Sequence, residues 1–305
     1  SLKFTPLADQ HGTSTITVTV EDTSFALSNH RVIADFPGPR GIVEHNGEIV
    51  VVGTVQEKGI SISKFNADLG TLWEFNHAVS GYTTALVSAS VSPDGFVNVG
   101  GVLGNTTTLD GIALGHGHEN DPFVGQIDSE GNWVWAEGIE TPAWSGTSDV
   151  LTVDNGDIYF TGYIYGSAQF GSTTLTSNGW YDAFIAKTDK DGNWLWAKNV
   201  GGSSGDFGRK LSVDSEGNIY WMGDFRNTVT FGNTTLTFRG GGSVNGGGDI
   251  FLSKLSPEGE FLWTKSIGST GTDNPASIVV NSSDEIILTA NVTGTAEFGQ
   301  LQSAE

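Results

Sequence analysis

Residues 182–200 read DAFIAKTDKDGNWLWAKNV, and this stretch recurs along the chain. Two further copies are DPFVGQIDSEGNWVWAEGI at 121–139 and DIFLSKLSPEGEFLWTKSI at 249–267, and a fainter copy, ISISKFNADLGTLWEFNHAV, covers 60–79. Each copy consists of two alternating apolar runs around a turn, which is typical of a β-hairpin. The anchor tryptophans Trp73, Trp135, Trp196 and Trp263 follow one another at steps of 62, 61 and 67 residues. A period of this length indicates a repeat protein.

A second hairpin follows each anchor tryptophan about 21 residues later. Its copies are VSPDGFVNVGG, LTVDNGDIYFTG, LSVDSEGNIYWMG and VVNSSDEIILTA, and another copy, IVEHNGEIVVVG, precedes the first anchor. The turn positions are Gly47, Gly95, Gly156, Gly217 and Asp284. A third element follows in some copies, as AQFGSTTLTS at 168–177, VTFGNTTLTF at 229–238 and AEFGQLQS at 296–303.

Each unit therefore reads as strand, turn, strand, variable loop, strand, turn, strand. We label the four strands A to D from the inside outwards, and no helical period is present. Four antiparallel strands per unit, repeated five times, predict an all-β fold: a single β-propeller of about five four-stranded blades over residues 1–305. We expect the anchors Trp135 and Trp196 to be nearly buried between blades.

The last unit has strands A (276–280) and B (285–291) but no C or D. Strands from the N-terminal region, at 13–22 and within 25–36, are predicted to complete it and close the ring, which would remove its exposed edges. The alternative is that residues 1–23 are the stub of a preceding domain.

Composition excludes several classes of function. There are 35 acidic residues against 14 basic ones, giving a net charge of −21. This balance argues against nucleic acid and against anionic membrane surfaces, and favours a soluble, monomeric domain. With no cysteine, disulfides, thiolate metal sites and cysteine nucleophiles are excluded. No apolar run is long enough for a membrane helix, so no membrane insertion is expected.

The pattern D-A-F-I-A-K-x-D-x-D-G-N-W-L-W-A-K, then S-V-D-S-E-G-N-I-Y and F-G-x-T-T-L, resembles the bacterial SBBP-type β-propeller repeat over roughly residues 40–300. That resemblance implies an exported, surface-associated bacterial protein and no particular reaction. FTPLADQHGTSTITVTV at 4–20 resembles the end of a bacterial cadherin-like or immunoglobulin-like adhesin repeat. Both resemblances imply a domain within a longer, extracellular or cell-surface protein.

The candidate ligand site lies on the face formed by the D–A and B–C connections, which vary most between units. Two aromatic residues in D–A loops, Tyr82 and Trp144, do not follow the strand pattern, and neither does the pair Trp180 and Tyr181 at the end of a B–C loop. Phe207 and Arg209 are weaker members of this set. Exposed aromatic side chains could bind a glycan or a protein, but they could also cap the loop ends of the core.

Two clusters invite a metal, and both have simpler interpretations. Asp189-Lys190-Asp191-Gly192-Asn193 resembles the start of a calcium loop, but it lacks the downstream glutamate and its residues favour a turn. His116, His118 and Glu119 occur once, in a glycine-rich loop, and are interpreted as solvated. No metal site and no cofactor are predicted, with Ca²⁺ as the alternative.

Three functions stay open at this stage, and no catalytic residue is assigned. The first is an extracellular module for adhesion that binds a carbohydrate or a protein. The second is a carbohydrate-active hydrolase or lyase, which would need a pair of carboxylates in an open cleft. The third is a spacer without a ligand. A flat aromatic patch on the loop face would favour the binding module.

Overall fold

The computed structural model describes residues 39–55, 59–78, 85–104, 107–114, 119–240, 248–295 and 297–298. The secondary structure in these ranges is β-strand without any helix. None of the described segments is therefore a helix with the length and apolarity needed to cross a bilayer.

The strands assemble into a β-propeller, of which the described ranges contain four complete blades and part of a fifth. Each complete blade is an antiparallel sheet of four strands in chain order from A to D. Blade 1 consists of β1 (Pro39–His45), β2 (Glu48–Val55), β3 (Gly59–Phe65) and β4 (Thr71–Ala78). Blade 2 contains β5 (Ala85–Val91), β6 (Val97–Gly104), the hairpin β7 (Thr107–Leu109) and β8 (Ile112–Leu114), then β9 (Glu119–Ile127) and β10 (Trp133–Gly138).

Blades 3 and 4 repeat the plan of blade 2. Blade 3 contains β11 (Gly146–Thr152), β12 (Ile158–Ile164), the hairpin β13 (Ser167–Phe170) and β14 (Thr173–Thr176), then β15 (Asp182–Thr188) and β16 (Trp194–Val200). Blade 4 contains β17 (Phe207–Val213), β18 (Ile219–Phe225), the hairpin β19 (Thr228–Phe231) and β20 (Thr234–Thr237), then β21 (Asp249–Leu255) and β22 (Phe261–Gly268). The third sequence element is thus a short hairpin inserted between strands B and C, where the sequence predicted a variable loop.

The fifth blade has strands A and B, as the sequence predicts. They are β23 (Asp273–Val280) and β24 (Ile286–Val292), and the short β25 (Glu297–Phe298) pairs with β22 of blade 4. Ile286 is 37% and Ile287 54% exposed, whereas their equivalents in blade 4, Ile219 and Tyr220, are buried against a C strand. The predicted closing strands, at 13–22 and within 25–36, lie outside the described residues.

The inner strands β1, β5, β11, β17 and β23 pack against one another in this order, which gives the blades their radial arrangement. Backbone amides of one inner strand donate to side chains of the preceding one. The amide of Leu211 donates to Asp149 Oδ2 over 3.0 Å, and that of Val280 donates to Ser212 Oγ over 2.9 Å. Equivalent bonds between blades 3 and 2 run from the amide of Val150 to Ser88 Oγ and from the amide of Thr152 to Ser90 Oγ, so the contacts recur and fix the register between neighbouring blades.

Each of the first three anchor tryptophans joins its blade to the next. The indole Nε1 of Trp73 donates to the carbonyl of Ser129, that of Trp135 to Lys190 and that of Trp196 to Pro257, over 2.8, 3.2 and 3.2 Å. All three carbonyls belong to the C–D turn of the following blade. We call this contact the tryptophan clasp.

A glycine lies beneath the indole in each clasp. Gly192, at φ +85°, is so close to Trp135 that an added methyl group would come within 2.8 Å of the ring, and Gly131 and Gly259 occupy the same place in their blades. The expectation that Trp135 and Trp196 are nearly buried is wrong, because both indoles are half-buried at the rim. The tryptophans of the interior are instead Trp133, 8% exposed, and Trp221, fully buried.

The turns of strands A and B agree with their sequence. Gly47, Gly95, Gly156 and Gly217 all have positive φ, and Asp284 adopts φ 59° at the same position of blade 5. Because strands A to D are antiparallel, the A–B and C–D turns lie at one end of each blade, the turn face. The B–C and D–A connections lie at the other end, the loop face.

Candidate functional site

The structure brings together three of the six predicted site residues on the loop face of blades 3 and 4. Tyr181 precedes β15, and Phe207 and Arg209 belong to β17. The rings of Tyr181 and Phe207 have centroids 5.5 Å apart, and the guanidinium carbon of Arg209 lies 4.5 Å from the centroid of Phe207. Tyr82 lies outside the described residues.

Two tyrosines from the end of β12 extend this cluster. The ring of Tyr163 packs edge to face on both Tyr181 and Phe207, with centroid distances of 5.4 and 5.2 Å. Tyr165 is 41% exposed and its ring lies 5.8 Å from that of Tyr181. Burial, with a further contribution from Tyr181, raises the pKa of the Tyr163 hydroxyl, although Arg209 opposes this rise. The Tyr163 hydroxyl therefore remains protonated at neutral pH.

A second arginine approaches Phe207 from β18. The guanidinium carbon of Arg226 lies 5.9 Å from the centroid of Phe207. Together these side chains form what we call the aromatic–arginine patch: Tyr163, Tyr165, Tyr181, Phe207, Arg209 and Arg226. Edge-to-face rings and a guanidinium over a ring are favourable contacts, so they help to hold the patch in place.

The two predicted tryptophans flank the patch. Trp180 directly precedes Tyr181 and is 69% exposed. Trp144 is 60% exposed, and it directly precedes Ser145, whose hydroxyl accepts the amide hydrogen of Tyr165 over 3.0 Å. Their exposure does not fit the alternative that these tryptophans cap the core. Both are available for a ligand at the edge of the patch.

The arginines differ in their partners. Arg209 Nε donates to Asp224 Oδ1 over 2.6 Å, and the Asp224 side chain is 3% exposed, so this arginine is neutralised by a buried carboxylate. Arg226 donates its backbone amide to Asp206 Oδ1 over 2.7 Å, whereas its buried Nε makes no hydrogen bond to any residue that the structure describes.

A buried carboxylate holds the loops beneath the patch. Asp206 accepts the amides of Arg226 and Gly202, each over 2.7 Å. Burial, with the negative charges of Asp182 and Asp224, raises its pKa to about 7, although the two amides oppose this rise. In blade 5 the equivalent Asp273 accepts the amide of Thr293 over 3.1 Å. This recurrence, together with complete burial, assigns Asp206 to the support of the loops.

A second recurring buried aspartate lies at the start of strand C. Asp121, Asp182 and Asp249 are each at most 1% exposed and accept hydrogen bonds from loop residues. Burial raises the pKa of Asp182, and it raises that of Asp249 to about 6. The carboxylates nearest the patch are therefore enclosed and hydrogen-bonded, whereas a glycosidase needs a pair that reaches its substrate.

The structure gives the calcium-like sequence the geometry of a turn. Asp189 Oδ1 accepts the amides of Asp191 and Asn193, and Asp189 Oδ2 accepts the side-chain amide of Asn193, each over 2.9 Å. Within the described ranges, no three His, Asp or Glu side chains come together as a metal site requires. His116 and His118 lie outside those ranges.

Sequence reasoning missed Tyr163, Tyr165 and Arg226. All three belong to strand B or directly follow it, and an aromatic residue there looks like part of the core. One signal was available: 61 residues before and after Tyr163, the repeat has Val102 and Asp224. An aromatic residue that occurs in one copy of a repeat is not needed for the shared blade structure, so it is a candidate for a function specific to that blade.

Comparisons with known proteins agree with a repeat architecture and do not assign a family. No model of a known protein family matches the chain. An uncharacterized WD repeat-containing protein of Acanthamoeba polyphaga mimivirus is 32% identical over 114 residues, which cover 33% of this chain and 8% of that protein. The chain therefore matches only a small part of that relative.

Similar solved structures have low TM-scores. A protein of unknown function from Bacteroides caccae has a TM-score of 0.33 and 13% identity, covering 75% of this chain and 81% of the other. The GH43_1 enzyme from Xanthomonas citri complexed with xylose has a TM-score of 0.39 and 12% identity, covering 86% and 85%. A glucose dehydrogenase has a TM-score of 0.39 and 9% identity, covering 88% and 97%. Likenesses at this level establish no shared function.

Proposed function

We propose that this chain is a ligand-binding β-propeller module whose site is the aromatic–arginine patch with Trp144 and Trp180. The observation that carries the proposal is the exposure of these two tryptophans, 60% and 69%, beside a preformed cluster of rings. Exposed apolar residues that form a contiguous patch mark binding sites, and aromatic residues with arginine are enriched in binding hot spots.

The proposal extends to the setting of the module. The repeat pattern and the acidic composition support a bacterial protein of the SBBP type, exported and attached to the cell surface, in which this domain contributes to adhesion. The ligand is a glycan or a protein that reaches the loop face. We further propose that the fifth blade is completed by strands from residues 1–36, so that 1–305 is one domain.

The experiment is a glycan array and a panel of extracellular-matrix proteins, screened with the wild-type chain and with the double variant Trp144→Ala/Trp180→Ala. We expect the double variant to lose a hit that the wild type has, because a hot-spot aromatic side chain commonly contributes about 2 kcal/mol or more to binding. Leu195→Ala and Leu262→Ala are matched controls, since both side chains are about as exposed, 50% and 52%, but lie on outer strands.

Two outcomes would contradict the proposal. Binding that survives in the double variant would place the site elsewhere, and no binding to any ligand of either panel would favour a spacer. Purified chain is also incubated with polysaccharides, because turnover would favour the carbohydrate-active enzyme over the binding module.

A further inference from the structure

The aromatic–arginine patch contains two arginines on a strongly acidic chain, which has a net charge of −21. At the turn face, lysines are neutralised by partners: Lys64 by Glu48, Lys187 by Asp157 and Lys254 by Asp214, over 2.6, 2.8 and 2.8 Å. Each of these lysines belongs to a strand C and meets an acid of strand B or the A–B turn. The pattern repeats with the blades, so it stabilises the architecture.

Arg226 departs from that pattern. It follows β18 on the loop face, and neither of the two nearby acids, Asp206 and Asp224, forms an ion pair with its side chain. Asp224 is already bound by Arg209, and Arg226 donates its backbone amide, but not its side chain, to Asp206. The Arg226 side chain is half-buried and its Nε donates to no described residue, so its guanidinium has donors that no described partner occupies.

A guanidinium has a planar fork of donors that matches the two oxygens of a carboxylate. The other members of the patch contribute aromatic rings and three tyrosyl hydroxyls, from Tyr163, Tyr165 and Tyr181. A sugar ring can stack on such faces and form hydrogen bonds with such hydroxyls. The combination of an unpaired guanidinium with tyrosyl rings therefore fits a sugar that carries a carboxylate.

We propose that the ligand of the patch is an acidic saccharide built from uronic acids, with its carboxylate on Arg226 and its ring on the tyrosines. This inference rests on the proposed function and narrows its ligand to one class. A single unpaired guanidinium fits one carboxylate, whereas nucleic acid requires several cations to bind its phosphates.

The test is isothermal titration calorimetry of the whole chain with three probes: tetragalacturonate, an alginate oligosaccharide and a hyaluronan hexasaccharide. Each probe is compared with its carboxyl-reduced, neutral counterpart. We expect at least one acidic probe to bind at least about tenfold more tightly than its neutral counterpart. Arg226→Gln should remove this preference, and Arg226→Lys should retain part of it, since lysine keeps the charge but not the fork.

Lys190→Gln is the matched control, because Lys190 is 62% exposed, belongs to the turn face and already pairs with Asp191. It should bind like the wild type. Equal affinity for acidic and neutral probes, or unchanged binding by Arg226→Gln, overturns the acidic ligand. If a neutral glycan or a protein nevertheless binds and Trp144→Ala/Trp180→Ala abolishes that binding, the proposed function is supported and only the acidic ligand is wrong. Binding to none of the probes overturns the acidic ligand as well.

Discussion

Replacing Gly192 by alanine tests whether the tryptophan clasp joins the blades. Gly192 has φ +85°, and a methyl group there would come within 2.8 Å of Trp135. The positive φ alone costs an L-residue about 1–2 kcal/mol. Overpacking against the indole adds about 1–3 kcal/mol, so we expect Gly192→Ala to lower the free energy of unfolding by about 2–5 kcal/mol.

Gly95 provides the matched control. It has φ +89° in an A–B turn, and nothing lies within 4 Å of an added methyl group. Gly95→Ala should therefore cost only the backbone strain, about 1–2 kcal/mol. The difference between the two variants measures the contact with Trp135.

Trp135→Ala completes a double-mutant cycle. Burying about half of an indole removes roughly 100 Å² from water, which is worth about 2.5 kcal/mol, and the bond to the carbonyl of Lys190 adds about 1 kcal/mol. Trp135→Ala also makes room for the methyl group that Gly192→Ala adds. The loss in free energy of unfolding of Gly192→Ala/Trp135→Ala should therefore be smaller than the sum of the two single losses by about 1–3 kcal/mol. The assay is urea unfolding followed by circular dichroism, which is independent of the missing tryptophan. Equal losses in Gly192→Ala and Gly95→Ala, with full additivity in the double variant, would refute the clasp.

Three further predictions concern pH, closure and the exposed tryptophans. The folded-state pKa of Asp206 is raised to about 7 and that of Asp249 to about 6, from 3.8. The stability that these two groups contribute is complete below about pH 4 and lost as the pH rises through their folded pKa values, so the melting temperature should be higher at about pH 5 than at about pH 8. A melting temperature that is equal or higher at about pH 8 than at about pH 5 would contradict the raised pKa values of Asp206 and Asp249. Deleting residues 1–36 should lower the melting temperature and the solubility by leaving the edge of β24 open; unchanged behaviour would favour the preceding-domain stub. Trp144→Ala/Trp180→Ala should shift the melting temperature by no more than about 2 °C, since both side chains are more than half exposed, and a larger loss would assign them to the core.

The sequence predicts the strands of each blade because the repeat supplies several copies of the same pattern. β23 and β24 agree with the predicted strands at 276–280 and 285–291 to within three residues at each end. The burial of the anchors is not predictable in the same way. Alternation identifies which side of a strand a tryptophan occupies, but not that its indole lies at the rim, over a turn of the next blade.

The patch is only partly readable from the sequence. Tyr181, Phe207 and Arg209 stand out because they depart from the repeat, and the structure brings them together. Arg226 does not stand out, since its relation to Phe207 depends on how the end of β18 meets the start of β17. The role of Asp206 depends on two backbone amides from different loops, and side-chain patterns carry no information about these.

The most direct test of the binding site is a titration of the ¹⁵N-labelled chain with the acidic oligosaccharides, followed through the indole N–H signals in two-dimensional NMR spectra. We expect shifts for Trp144 and Trp180, which flank the aromatic–arginine patch. The signals of Trp73, Trp135 and Trp196, whose indoles donate to turn carbonyls on the opposite face, should stay in place. Shifts confined to the clasp tryptophans, with none at Trp144 and Trp180, would contradict a binding site at the aromatic–arginine patch.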